Sequence, residues 1–162
     1  MKKFDYFAPT EILFGVGRVK EVGKVTAAFG KKAILVTTPE FPAVAELYKA
    51  VKDSLKEAGV DVVHFDGVIP NPTTDVVTAG ADMAKKFGAN VVVGLGGGSS
   101  MDTAKAIAVE ATHAGTAWDY NCHTDGPTDK TLPIIAISTT AGTGSQTTPC
   151  SVITKTSDKD KS

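Results

Sequence analysis

The stretch VVVGLGGGSSMDTAKA, residues 91–106, decides how the rest of the chain is read. Val91, Val92 and Val93 are β-branched and read as a buried strand. Gly94, Gly96, Gly97 and Gly98 follow within five positions, then the hydroxyls of Ser99 and Ser100. Met101 to Ala111 carries helical spacing with no Gly or Pro. A strand, a glycine turn and a helix N-terminus make an anion site. Glycine lets the backbone approach a ligand closely, and the free N–H groups and positive end of the helix favour phosphate. A plain turn needs one glycine, so the surplus points to phosphate. Ser99 and Ser100 are expected near the N-cap, serving the helix and a phosphate from the same place. Asp102 suits the first helical turn, with Lys105 as its partner one turn on.

Working outward, the chain alternates strands and helices. The apolar pieces Phe4–Tyr6 and Ile12–Phe14 suggest an N-terminal hairpin or paired edge strands. Val19, Val22, Val25 and Phe29 space as a helical stripe that ends at Gly30. Residues 33–36 read as a strand. Phe41, Val44, Ala45, Tyr48, Val51 and Leu55 mark a second helix stopped by Gly59, and residues 60–65 a second strand. A third helix starts near Thr73, with Val76, Gly80, Met83 and Phe87 on one face, and closes at Gly88. After the helix at 99–111, residues 113–130 are polar and turn-rich. Leu132–Ile137 reads as a strand, 139–148 as a hydroxyl- and glycine-rich loop, and 152–154 as the start of one further strand. This alternation predicts a Rossmann-like, doubly wound, mostly parallel α/β sheet with helices on both faces. Right-handed crossovers bring the loops after 36, 65, 94 and 137 to one edge of the sheet, where ligands bind in such folds.

The 162 residues suffice for one core and about one domain. Seventeen basic against eighteen acidic residues leave no net field to attract nucleic acid or an anionic membrane. Cys122 and Cys150 form no C-x-x-C, which favours a reduced pair. Met1-Lys2-Lys3 is followed at once by Asp5 rather than an apolar run, and no segment reaches the roughly 18 apolar residues of a membrane span. A soluble, cytoplasmic domain is the expectation. Among the histidines, His64 falls in a strand and reads as structural. His113 and His123, near Cys122, lack zinc spacing, and Asp119, Asp125 and Asp129 read as solvated, so no local metal site is expected.

The central stretch is neither the G-x-G-x-x-G fingerprint, because position 99 is Ser99, nor a P-loop, because no Gly-Lys-Ser/Thr follows. The 138–148 segment lacks a P-loop lysine and is not a G-x-S-x-G elbow, which removes a hydrolase reading. What the chain does resemble, through Gly96, Gly97, Gly98, Ser99, Asp102 and Lys105 in a G-G-G-S-x-x-D-x-x-K pattern, is the iron-containing (group III) alcohol dehydrogenase family. The segment STTAGTGS at 138–145, a Thr-Pro pair, Val-Ile-Thr at 152–154 and Pro-Asn-Pro-Thr at 70–73 extend the resemblance over essentially the whole chain.

That resemblance implies a two-domain enzyme of which residues 1–162 are the N-terminal dinucleotide-binding domain. The helical C-terminal domain, with an Asp and three His as ligands for Fe2+ or another divalent metal, lies outside this sequence. It implies NAD or NADP as cofactor and hydride exchange between nicotinamide and a primary alcohol or aldehyde. The cofactor residues it implies are Gly96, Gly97, Gly98, Ser99 and Asp102 at the turn, and Thr139, Thr140 and Thr143 along the nicotinamide ribose. Asn71 and Thr38 join them, with Lys161 near the nicotinamide end. Thr38 stands where many relatives carry the aspartate that bonds the adenosine ribose, and Glu40 is two residues on, which leaves NAD and NADP both open. Gln146 stands where the family usually has Glu. The chain alone is expected to bind nucleotide weakly, to lack dehydrogenase activity and to self-associate through its uncovered apolar surface. A non-catalytic nucleotide- or phosphate-binding module, and a glycerol dehydrogenase or dehydroquinate synthase relative, are the rival readings.

Overall fold

The computed structural model describes residues 3, 7–120 and 126–157. Four strands, β1 (Lys32–Val36), β2 (Asp61–Phe65), β3 (Val91–Gly96) and β4 (Ile134–Ser138), alternate with helices α1 (Val22–Phe29), α2 (Pro42–Glu57), α3 (Thr74–Phe87) and α4 (Gly98–Glu110). The strands pair in the order β2-β1-β3-β4, and every neighbouring pair is parallel. β1 and β3 are the inner strands and are buried on both faces, as parallel strands covered by helices must be.

The pleat sends alternate side chains to opposite faces. Ala33, Leu35, Val91, Val93 and Leu95 pack with Tyr48, Val51 and Leu55 of α2 and Val22 of α1. Ile34, Val36 and Val92 pack on the other side with Val77 and Ala84 of α3 and Ala104, Ile107 and Ala108 of α4. The sheet is therefore covered on both faces, as expected. Pro42 at the first turn opens α2, and Gly88 closes α3 in the left-handed conformation at φ 73°.

Several boundaries and faces differ from the sequence reading. α1 buries Val22, Gly23 and Thr26 rather than a Val25–Phe29 stripe, and Phe29 is 58% exposed. Thr26 is accommodated because its hydroxyl donates to Val22 O at 2.7 Å, so no buried donor is left open. On α3, Val77, Ala81 and Ala84 join Gly80 in the buried face, while Val76 and Met83 pack at its margin. Of the expected N-terminal hairpin, Phe4–Tyr6 lies outside the described residues, and Ile12–Phe14 forms no strand. Ile12 and Phe14 are 67% and 92% exposed, so this piece has no packed face to hold a strand. Val152–Thr154 joins no sheet; Thr154 makes a single parallel bridge to Thr73. No helix among the described residues is long and apolar enough to cross a membrane.

Candidate functional site

The chain runs from β1 to β2 on one side, then crosses back to β3 on the other side of β1. This reversal opens a crevice at the carboxyl ends of β1 and β3, where open α/β sheets bind ligands. Val36 pairs with Gly94, so the loop after β1 and the glycine turn after β3 leave the sheet side by side.

The glycines divide their work differently from the sequence reading. Gly94 and Gly96 belong to β3, not to the turn. A Cβ on Gly94 would stand 2.8 Å from the Ala104 Cβ, so this glycine sets how closely α4 packs on the sheet. Gly96, at φ 144°, turns the chain into Gly97, the N-cap of α4. Ser99 and Ser100 fall inside the first turn and do not cap it, because the helix begins earlier and no side chain bonds its cap. The first helical bond runs from Met101 N–H to Gly97 O at 3.2 Å. The N–H groups before it point out of the helix end without intrahelical acceptors. The buried Ser100 Oγ has no hydrogen-bond partner among the described residues.

A cleft of about 340 Å³ lies at this helix end, lined by Asn71, Pro72, Gly98, Ser99, Asp102, Thr143, Ser145, Thr148, Cys150 and Val152. Five expected site residues, Asn71, Gly98, Ser99, Asp102 and Thr143, meet in it. Thr140 and Thr143 lie over Gly97 and Gly98: added Cβ atoms would stand 3.2 Å from Thr140 Oγ1 and 2.7 Å from Thr143 Cγ2. Thr139 N–H donates to Gly96 O at 3.0 Å and ties the loop after β4 to the turn. Asn71 takes φ 52°, the turn geometry asparagine tolerates. Thr38 stands outside this cleft, across the switch point at the end of β1. Lys161 lies outside the described residues, as do Cys122, His123 and Asp125.

Asp102 and Lys105 pair as expected, at 3.4 Å. Their arrangement does more than complement the helix dipole. Lys105, only 8% exposed, donates to the carbonyls of Ser145 (3.0 Å), Thr148 (3.3 Å) and Cys150. Asp102 Oδ1 accepts from Ser145 Oγ at 2.7 Å, and Asp102 O from Ser151 Oγ at 2.7 Å. Burial pushes the Lys105 ammonium pKa down, against the pull of Asp102. The pair fastens the 145–151 loop to α4, and that loop supplies the cleft wall that sequence reading missed. Carbonyl acceptors carry no side-chain signature, so no sequence pattern marked them. Gln146 neighbours this clamp with its Oε1 buried and unpartnered among the described residues.

The lining fits a phosphate-bearing ligand. It combines a helix N-terminus, the hydroxyls of Ser99 and Thr143, and the orphaned Ser100 hydroxyl beneath. Its one carboxylate, Asp102, is already paired with Lys105 and accepts from Ser145 Oγ, which offsets its charge toward an anion. No group of three or more His, Cys, Asp or Glu that could hold a metal ion occurs among the described residues. His64 and His113 serve the fold. His64 Nε2 contacts Thr37 Oγ1 at 2.8 Å, and His113 Nε2 accepts from Thr128 N–H at 3.0 Å. Cys150 is a free, exposed thiol.

Fold and site together define a Rossmann-like α/β domain with its ligand crevice at the β1/β3 switch point. The sequence model of iron-containing alcohol dehydrogenases matches residues 9–162. The chain belongs to the iron-containing alcohol dehydrogenase family. It is 48% identical to the choline dehydrogenase of Bacillus subtilis (strain 168), over 95% of this chain and 39% of that protein. It is 39% identical to the NAD-dependent methanol dehydrogenase of Bacillus methanolicus, over 97% of this chain and 41% of that protein. A crystal structure of an archaeal halo-thermophilic alcohol dehydrogenase from a Red Sea brine pool superposes with a TM-score of 0.93 at 42% identity, covering 99% of this chain and 42% of that one. A sulfoacetaldehyde reductase from Bifidobacterium kashiwanohense in complex with NAD+ superposes at 0.86 and 34% identity, covering 100% and 43%. The chain thus spans about two-fifths of the length of the relatives it matches.

Proposed function

We propose that residues 1–162 are the dinucleotide-binding domain of an NAD-dependent alcohol dehydrogenase that exchanges hydride between nicotinamide and a primary alcohol or aldehyde. The observation that carries this reading is the open end of α4, where Gly97 and Gly98 pack against Thr140 and Thr143 beside a cleft lined by Gly98, Ser99 and Thr143. In this reading the N–H groups of the first turn bind the pyrophosphate and Ser99 adds a hydrogen bond. Thr139, Thr140 and Thr143 run along the nicotinamide ribose, with Lys161 beyond them. Asn71 and Thr38 hold the adenosine side. The Asp102–Lys105 clamp keeps the threonine loop at the distance the dinucleotide needs.

NAD is favoured over NADP on two grounds. The relatives named above include an NAD-dependent enzyme and one crystallised with NAD+. In this chain the loops after β1 (residues 37–41) and β2 (residues 66–73) contain Glu40 and Asp66 but no Lys or Arg to pair with a 2′-phosphate. The nicotinamide supplies the hydride chemistry, and the residues of this chain position it. The metal and the groups that bind the alcohol belong to the C-terminal part of the family's longer chains. The 162-residue chain therefore binds nucleotide weakly and turns over no alcohol. A robust alcohol-dependent NADH signal from it overturns that division of labour.

Calorimetric titration with NAD, NADP and AMP tests the reading. Saturable binding of NAD that is lost in G97V and S99F supports it. Binding that survives both substitutions moves the nucleotide away from α4 and overturns it.

A further inference from the structure

Around the loop after β1, three hydroxyls and one imidazole form a closed hydrogen-bonded set. Thr37 Oγ1 donates to Thr38 O at 2.7 Å and contacts His64 Nε2 at 2.8 Å. Tyr48 OH donates to Thr38 O at 3.3 Å and stands 3.0 Å from Thr38 Oγ1. Thr37 is fully buried and Tyr48 is 1% exposed, while Thr38 and His64 are half-buried.

Each hydroxyl owns a single proton, so only one arrangement makes all four contacts hydrogen bonds at once. The Thr37 proton lies on Thr38 O, so His64 Nε2–H donates to Thr37 Oγ1. The Tyr48 proton also lies on Thr38 O, so the 3.0 Å contact is a hydrogen bond only when Thr38 Oγ1–H donates to Tyr48 OH. This is the one assignment in which all four contacts are hydrogen bonds. It leaves Thr38 Oγ1 with free lone pairs and no further proton to donate.

Thr38 lies two residues beyond β1 on one side of the switch point, and Gly96–Gly98 leave β3 on the other. The carboxyl end of the strand beside the glycine turn is where doubly wound domains read the adenosine ribose. Building on the nucleotide reading above, we propose that Tyr48 is a specificity-determining residue. By taking up the Thr38 proton it makes Thr38 a hydrogen-bond acceptor only. Thr38 Oγ1 then accepts from a free ribose 2′-hydroxyl, as in NAD, and has no proton for the 2′-phosphate of NADP. A carboxylate at this position achieves the same polarity with its charge; here a buried phenol imposes it on a neutral side chain. Glu40 and Asp66, on the loops after β1 and β2, add no donor to reverse it.

The test compares AMP, 2′-deoxy-AMP and 2′-phospho-AMP by calorimetry on the wild-type chain, Y48F and T38V, with S99F as the control for the phosphate end. Wild type is expected to prefer AMP over both analogues. Y48F frees the Thr38 proton and raises affinity for 2′-phospho-AMP relative to AMP by about five- to tenfold, the size of one hydrogen bond. T38V removes the acceptor, so AMP and 2′-deoxy-AMP bind alike. A Y48F variant that keeps the wild-type ratio, or narrows it only by losing AMP, overturns the role of Tyr48. If S99F abolishes AMP binding in that case, the nucleotide reading stands and only this inference fails. AMP binding untouched by S99F, T38V and Y48F, or absent from the wild-type chain, overturns both.

Discussion

Gly98, at the first position of α4, and Thr143, in the loop after β4, approach so closely that a Cβ on Gly98 would lie 2.7 Å from Thr143 Cγ2 and 2.9 Å from Thr143 Oγ1. The glycine is required by this contact, since its backbone sits in no left-handed region. Two loops separated by more than forty residues thereby share one van der Waals surface, and the cleft lies against it.

G98A is expected to push the threonine loop off the turn rather than unfold the chain, because Thr143 is exposed and, among the described residues, its side chain is held only by the Ser145 N–H at 3.2 Å. Nucleotide affinity should fall about tenfold or more, the effect of displacing a positioning group by an ångström or so. The double variant G98A/T143G, which removes the obstructing side chain, should recover part of it. Calorimetry on the pair checks this; an additive loss places the effect elsewhere.

Lys105 carries the opposite expectation. K105M leaves the carbonyls of Ser145, Thr148 and Cys150 and the Asp102 carboxylate without their cation. Removing one partner of a buried network costs about 2–4 kcal/mol. Denaturant unfolding should report that loss, and amide exchange should accelerate across 145–151 before it does in β1 or β3. Unchanged exchange in that loop contradicts the clamp.

His64 gives a pH dependence. Burial and Lys52 hold its pKa below the ordinary value of 6.5, and Asp66 and Glu40 oppose them more weakly. The folded state therefore binds the proton less readily than the unfolded chain. Stability is full above pH 6.5, falls as pH drops from there toward the lowered folded-state value, and levels off below it. The melting temperature of the wild-type chain should decline between pH 7.5 and pH 5.5 by more than that of H64N. Parallel curves remove His64 as the source.

Phe7, Phe14 and Val16 are 87%, 92% and 107% exposed, and Ile134 on the edge strand β4 is 38% exposed. Uncovered apolar surface and an open strand edge both favour association. Size-exclusion at several concentrations should show an apparent mass that rises with concentration. A clean monomer throughout contradicts this.

The sheet was legible because its inner strands are short apolar runs between glycine-terminated helices, and the β-branched Val91–Val93 announced the central one. The glycine turn was legible because several glycines in a row have no structural need in a simple turn. Residues whose burial does not depend on apolarity were harder to read. Thr26 is buried by bonding its own helix, and Ser100 lies under Gly96 rather than capping α4. The chemistry of Lys105 was half visible: its spacing from Asp102 suggested a helical pair, but its grip on three carbonyls depends on a loop forty residues away. Tyr48 read as core, and its hydroxyl becomes informative only when Thr38 is seen beside it.

The central claim is that a nucleotide phosphate sits on the N-terminus of α4 at the switch point between β1 and β3. Amide-resolved NMR titration with NAD tests it most directly. The largest shifts are predicted at Gly97, Gly98, Ser99 and Ser100, with a second group at Thr140–Thr143. Shifts confined to the depression around His113, Tyr120 and Thr128, or none at the α4 amides at saturating NAD, contradict it.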